Sequence, residues 1–462
     1  MMRQRSRLLA SLGLMERRLK GLGKLCVCVL CALVLGACSS KKVTILEPKE
    51  LSTLPQNANY YLPQDLLEFP EIDSKVLQKD YLQKFFAPWL STKPNPNVDE
   101  VFWIRPSLLK ARSWGINLKP YSLQERQKIL DSMQLDLYPS ANKKAIITSN
   151  TSIRAVPSVL PRFSKRDGYP FDRWQNSLIF SGTPVRVTHY DSSRRFAHIE
   201  SGFVYGWVEV RDMAFVSDED AKRIMQWRSY VMPNKDNIAL LDSNNRFVTE
   251  ARLGQIFALK NQTTDSYEIY VVLRQDNGNA RISTLKVKRQ DFSPFPSGFS
   301  QTLVADLLTQ LMGRAYGWGG MYEERDCSAL VRDIFAHNGV FLPRNSKAQA
   351  FYGNNSIDLS KMPPKDKEAY IIANATPFYT ILWLQGHIMI YLGHTQGRAI
   401  VAHSVWSVTS GKRYENMLGG VVITTLHIGE EHNGVFRRSK TLLERIGAMS
   451  DMTTLYQAII NQ

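Results

Sequence analysis

Residues 316–339 read YGWGGMYEERDCSALVRDIFAHNG, and the change of character at Asp326-Cys327 decides how the rest of the chain is understood. Ahead of it the stretch is glycine-rich and loop-like. After it, apolar residues recur at Leu330, Val331, Ile334 and Phe335, the period of a helix with one face against a core, and Gly339 closes the run. Cys327 therefore starts a helix. Free backbone N–H groups and the positive end of the helix dipole at that position favour a thiolate, the form that attacks carbonyl carbon. Counting i, i+3, i+4, i+7 and i+8 from Cys327 puts its sulfur at the head of the buried face, aimed into the domain.

What it would face lies at 387–404. HIMIYLG (387–393) and RAIVAHS (398–404) are strand-like and are joined by GHTQG (393–397). With Leu392 paired to Arg398, antiparallel pairing sets His387 directly opposite His403 on one face, whereas a slip of one residue would send them to opposite faces. A thiol beside two imidazoles supplies the nucleophile, base and orienting group of a cysteine hydrolase. Metal binding competes for the same residues, because six of the eight histidines fall between 337 and 432. However, His394 falls in the loop, no HExxH-type spacing occurs, and zinc would need a further ligand, so neither metal nor cofactor is expected. His189, His198, His337, His394, His427 and His432 read as structural or solvated.

Outward from this unit, which spans 297–462 and opens with the helical run LVADLLTQLMG, the pattern changes to short strand-like segments. AIIT, TPVRVTHY, FAHIESG and YGWVEV suggest a first small barrel at 145–220, and a second series suggests another at 230–293. Its Asp276-Asn277-Gly278 marks a hairpin between IYVVLRQ and ARISTLKV. Residues 66–144 are helical in pattern, with a capping box at Ser122 and Glu125 opening LQERQKILDSMQL. Residues 38–65, polar and rich in Pro and Asn, read as a tether.

The N-terminus sets the compartment. Residues 1–24 hold seven basic side chains and one acid, and the uncharged run 25–37 (LCVCVLCALVLGA) is too short to span a bilayer but has signal-peptide length. Met15 is a second candidate start. The run ends Leu35-Gly36-Ala37-Cys38-Ser39-Ser40, which resembles a bacterial lipobox: residues 1–37 would be removed and Cys38 lipidated, giving a periplasmic protein anchored in the outer membrane. An ordinary signal cut after Ala37 is the alternative. Of the five cysteines, four (Cys26, Cys28, Cys31, Cys38) belong to this region. The exported body keeps a lone thiol, Cys327, with no disulfide partner in an oxidising compartment. The net charge of +16, of which +10 lies beyond residue 24, suits an anionic partner, and export leaves acidic lipid or carboxylate-rich polymer rather than nucleic acid. A length of 462 residues implies several domains.

Five ordered motifs carry a family resemblance: Tyr316-Gly-Trp318-Gly-Gly, Asp326-Cys327-Ser328-Ala329-Leu330, Leu342-Pro343-Arg344-Asn345-Ser346, Gly386-His387 through Gly393, and Ala402-His403. They resemble the NlpC/P60 family of papain-like cysteine peptidases that cut peptidoglycan stem peptides. The flanking order resembles its multidomain branch, with a helical stabilising region and two bacterial SH3-like barrels, an α+β multidomain architecture.

The resemblance implies Cys327 as nucleophile, His387 as general base and His403 as its orienting partner. Tyr316, Trp318 and the Cys327 N–H would hold the oxyanion or shape its pocket. Asp326, Ser328 and Ser346 would bind substrate, the first two through a free L-alanine amino group, and Tyr205 would close the pocket. It further implies hydrolysis of the γ-D-glutamyl to diamino acid bond in peptidoglycan or in released murein peptides, by a monomer. In two places the chain departs from the pattern: Gln385-Gly386 replaces the family's Gly-Asp before the histidine strand, and residues 356–378 form an insertion. A non-catalytic wall-binding scaffold is the alternative from another class, and acyl transfer to an amine is the alternative chemistry.

Overall fold

The structure is a computed structural model that describes residues 44–68, 73–411, 414–433 and 439–460. The expected signal peptide and Cys38 lie outside the described residues. No helix of the described residues is long and apolar enough to cross a membrane.

The helical region forms as its caps dictate. Asp73 accepts from the Lys75 N–H to open a helix over Ser74–Phe85, and the Ser122–Glu125 capping box opens Leu123–Ser132. Trp89 fastens the region to the first β domain: its indole N–H donates to the carbonyls of Ala145 and Val185, both at 3.0 Å, and its ring is buried.

Two SH3-like domains of antiparallel strands follow. The first has the order 175–179, 151–154, 205–209, 196–200, 184–190, 143–147, 213–215. The second has the order 280–288, 266–274, 257–262, 230–233, 292–295, with a separate hairpin of 238–241 and 247–251. Neither order returns to its first strand, so each is a partly open sheet among the described residues. The hairpin expected around Asn277-Gly278 is present, with Arg274 paired to Ala280 and Gly278 at φ +85°.

The last unit is a seven-stranded sheet with helices on it. Its strands are β1 (Thr44–Leu46), β2 (Ser356–Asp358), β3 (Thr380–Leu384), β4 (His387–Thr395), β5 (Arg398–Ser410), β6 (Tyr414–Thr425) and β7 (Ile446–Asp451), in the order β1-β6-β5-β4-β3-β7-β2. Helices α1 (Gln301–Leu311) and α2 (Cys327–His337) bury Leu307, Leu308, Leu330, Ile334 and Phe335 against Ile381, Ile388, Ile390 and Ala402. Each fully buried large side chain contributes about 1.5–3 kcal/mol.

One expectation changes here. Residues 44–62 are no free tether. Thr44–Leu46 pair in parallel with Tyr414–Asn416, Glu50 accepts from the N–H and hydroxyl of Thr425, Gln56 exchanges hydrogen bonds with the backbone of Ile423, and Ala58 is fully buried. The polar composition that suggested a tether instead satisfies an exposed sheet edge. The insertion 356–378 is likewise structured: it provides edge strand β2 and a helix, Pro364–Asn374, whose Ile371 packs under the sheet. Gln385-Gly386 is a two-residue hairpin turn, with Leu384 paired to His387 and Gly386 at φ +85°.

Candidate active site

Cys327 is the first residue of α2, and Asp326 caps the helix by accepting the Ala329 N–H at 2.9 Å. The helix start was expected to favour the thiolate. Instead burial, joined by the charge of Asp326, pushes the thiol up to about 12, although the Ile388 N–H is directed at the sulfur. Desolvation disfavours the anion more than the helix end stabilises it. Burial thus favours the neutral thiol in the resting site.

The two imidazoles meet. His387 Nε2 and His403 Nδ1 are 2.8 Å apart, and His403 Nε2 lies 3.1 Å from Thr424 Oγ1. The predicted direct pairing of His387 with His403 does not occur. The loop is a tight turn with Gln396 (φ +49°) and Gly397 (φ +75°) at its centre, so Thr395 pairs with Arg398. That change alone shifts the register by an odd number and would put the rings on opposite faces. A β-bulge between Tyr391 and Gly393 takes one residue back: Ile390 pairs with Ala402, and the rings return to one face, diagonal to each other. Burial, reinforced by the Arg445 guanidinium, brings His387 down to about 4, and burial places His403 well below its ordinary value. Burial favours the neutral form of both rings.

Cys327 and His387 line one cleft of about 880 Å³, walled by the helical region (Glu100, Trp103), the first SH3-like domain (Arg173, Tyr205) and the last domain (Tyr316, Ser346, Trp406, Arg445). Of the site residues expected from the sequence among the described residues, all but His403 line this cleft; His403 is fully buried behind His387, and several of the others are already engaged. Asp326 Oδ2 accepts from the Gly319 N–H (2.9 Å) and Arg344 (2.6 Å), and Oδ1 accepts from the Ala329 N–H and from Ser328 Oγ (3.2 Å). Those four bonds fill the acceptor sites of a carboxylate, so an ammonium group would have to displace one of them. Burial acts to raise its pKa, but Arg344 and the two N–H groups outweigh that and hold it below its ordinary value. Ser328 Oγ also accepts from Arg344 at 2.7 Å.

Trp318 spends its indole N–H on the Asp172 carbonyl (2.7 Å), edge-on to Phe171 and under Arg173, so it is wall rather than oxyanion donor. Burial first, then the charge of Asp326, raises the Tyr316 phenol far above its ordinary value, which keeps it a proton donor. Tyr205 Oη donates to Glu100 (3.1 Å). Sequence reasoning missed Glu100, Trp406 and Arg445, which sit in no motif. It quoted Arg344 within a motif without seeing a role, because only the fold brings it to Asp326.

Comparisons with known proteins agree with this layout. Family models match residues 27–138 (the NLPC_P60 stabilising domain, N-terminal), 161–209 (SH3 domain, SH3b1 type), 218–264 (SH3 domain of SH3b2 type) and 313–418 (NlpC/P60 family). Among solved structures, the chain is similar to a novel NlpC/P60 endopeptidase from Photobacterium damselae subsp. piscicida, with TM-score 0.75 and 23% identity over 89% of this chain and 99% of that one. An NlpC/P60 family protein from Bacillus cereus aligns at TM-score 0.47 and 14% identity, over 67% of this chain and 99% of that one. No curated protein matches. With its four regions in this order, the chain is a member of the NlpC/P60 family, in the branch with an N-terminal stabilising domain and two SH3 domains, and by family a cell-wall peptidase of the cysteine type.

Proposed function

We propose that the chain is a lipid-anchored endopeptidase that hydrolyses the γ-D-glutamyl to diamino acid bond of peptidoglycan stem peptides. The observation that carries the reading is the 2.8 Å His387–His403 contact on the wall of a cleft that also holds Cys327 at a helix start.

The reaction follows from the neutral resting pair. As Cys327 Sγ attacks the γ-carbonyl carbon, His387 takes its proton through Nδ1, the ring nitrogen not engaged with His403. Proton transfer and attack are coupled because a free thiolate is disfavoured. The oxyanion is met by the Cys327 N–H and the Tyr316 hydroxyl. Collapse breaks the C–N bond, His387 returns its proton to the leaving amine, and a thioester remains. Water, deprotonated by His387, then releases the acid and restores the thiol. His403 holds the base in orientation.

Substrate recognition is assigned to the cleft walls. With Asp326 saturated, Glu100 beside Tyr205 is the carboxylate better placed to meet a substrate ammonium, and Ser346 lines the same cleft from the last domain. Arg445, next to His387, suits a substrate carboxylate. Cys38 would carry the lipid at the periplasmic face of the outer membrane.

The test incubates the purified chain with L-Ala-γ-D-Glu-diaminopimelate under reducing conditions. Release of free diaminopimelate is expected, with loss of at least about 10³-fold in Cys327→Ala. Full activity in that variant, or no cleavage by the native chain, overturns the reading.

A further inference from the structure

Thr424 on β6 belongs to no motif, yet it is fully buried and touches the imidazole pair. Its Oγ1 donates to the carbonyl of Thr425 at 3.0 Å and lies 3.1 Å from His403 Nε2. A threonine hydroxyl has one hydrogen. Once that hydrogen goes to Thr425, only lone pairs face His403, so His403 Nε2 must carry the proton and donate. His403 Nδ1 is then bare and accepts from His387 Nε2–H across 2.8 Å. His387 Nδ1 is left with a lone pair.

The reverse order is the alternative. If Thr424 donated to His403, both imidazoles would be protonated on Nδ1, and His387 would present an N–H that cannot take a proton from a thiol. Thr425 is held in the orientation that avoids this. Its N–H donates to Glu50 Oε2 (2.8 Å), its hydroxyl donates to Glu50 Oε1 (2.7 Å), and the hydroxyl also accepts the His427 N–H (3.0 Å). Glu50 comes from the N-terminal segment that straps the sheet edge.

We infer that Thr424 is the positioning residue that sets the tautomers of His403 and His387, and so makes His387 a base toward Cys327. The inference rests on the reading of Cys327 and His387 as nucleophile and base, but its central observable does not need a substrate. In the full chain with ¹⁵N-labelled histidine, nitrogen shifts at neutral pH are expected to show His387 and His403 both protonated on Nε2. Thr424→Ser keeps the oxygen and is expected to keep those tautomers and activity within a few-fold. Thr424→Val keeps the volume and removes the oxygen. It is expected to lose the tautomers and to lower kcat by roughly 100-fold with little change in KM, because a wrongly protonated imidazole cannot act as base. A proton on His387 Nδ1 in the native chain, or native tautomers with full activity in Thr424→Val, overturns the inference. Should the native chain show the stated tautomers but cleave no stem peptide, the functional reading fails and the tautomer assignment stands. If Thr424→Val does not fold, the native spectrum and Thr424→Ser still decide.

Discussion

At the residue scale, the site departs from a preformed thiolate–imidazolium pair. A neutral thiol and a neutral imidazole differ from that ion pair only in which atom holds one proton, and burial favours the uncharged form. The consequence can be read in a pH profile. In the free enzyme the acid limb of kcat/KM reports protonation of the base, and His387 lowered to about 4 puts that limb near pH 4 rather than near 6.5. The thiol at about 12 predicts that alkylation of Cys327 by iodoacetamide keeps rising with pH through pH 10. An acid limb at 6.5, or alkylation that levels off near neutrality, would show that the resting pair is ionic. The helix start at Cys327 was legible because its signals are local, a glycine-rich approach and an apolar period closed by Gly339. Its ionisation was not, because burial of the sulfur, and the opposing pull of Arg344 and the Ile388 N–H, come from residues that only folding brings near.

At the level of elements, close approach explains the glycines ahead of the cysteine. Gly319 and Gly320 carry positive φ, and a Cβ on Gly320 would stand 2.3 Å from Leu178 Cβ on the first SH3-like domain. Gln175 Nε2 donates to the Gly319 carbonyl at the same seam (2.9 Å). The glycine pair is therefore the seat of a neighbouring domain as much as a flexible loop. Gly320→Ala meets both strain and overlap and is expected to lower stability by about 2–4 kcal/mol in denaturant unfolding. It should also reduce activity, since the seam supports the cleft; unchanged stability would mean the domains do not dock there. Strands β4 and β5 were readable as strand-like runs on either side of a Gly-containing loop, but their register was not. The Leu392 bulge has no sequence signal of its own, and a ladder shift of one residue decides whether the two rings meet.

Across the whole molecule, the cleft is assembled from three regions that are distant in sequence, and buried arginines tie the last domain to both SH3-like domains, Arg344 donating to Ser177 Oγ of the first at 2.8 Å. Arg325, 2% exposed, joins Asp333 of α2 (2.9 Å) to Asp236 of the second SH3-like domain (2.5 Å). Removing one partner of such a group is destabilising, by roughly 3–5 kcal/mol. Buried histidines give the fold an acid liability of known sign. His198 is lowered to about 3, His337 to about 4, and His403 well below its ordinary value, each chiefly by burial. Below pH 6.5 the unfolded chain takes up these protons while the folded chain does not. Their contribution is therefore complete above 6.5 and is lost as pH falls toward 4, at about 1.4 kcal/mol per pH unit for each residue. Urea titrations at pH 7, 6 and 5 should show midpoints that fall steadily; a constant midpoint would contradict the burial of these rings. If Cys38 carries lipid, the five residues between it and the docked Thr44 reach roughly 20 Å, so the last domain would work close to the bilayer.

Taken by itself, the amino-acid sequence determined what short-range physics can specify: which segments are helices and strands, where the nucleophile's helix begins, and which motifs follow one another. Periodicity, caps and turn residues act over a few positions and need no knowledge of the rest of the chain. Only the tertiary structure decided the charge state of the thiol, the saturation of Asp326 by Arg344, the docking of residues 44–62 and the bulge that turns His387 toward His403. Each of these depends on desolvation or contact between residues far apart in sequence, where one added residue or one buried neighbour reverses the outcome.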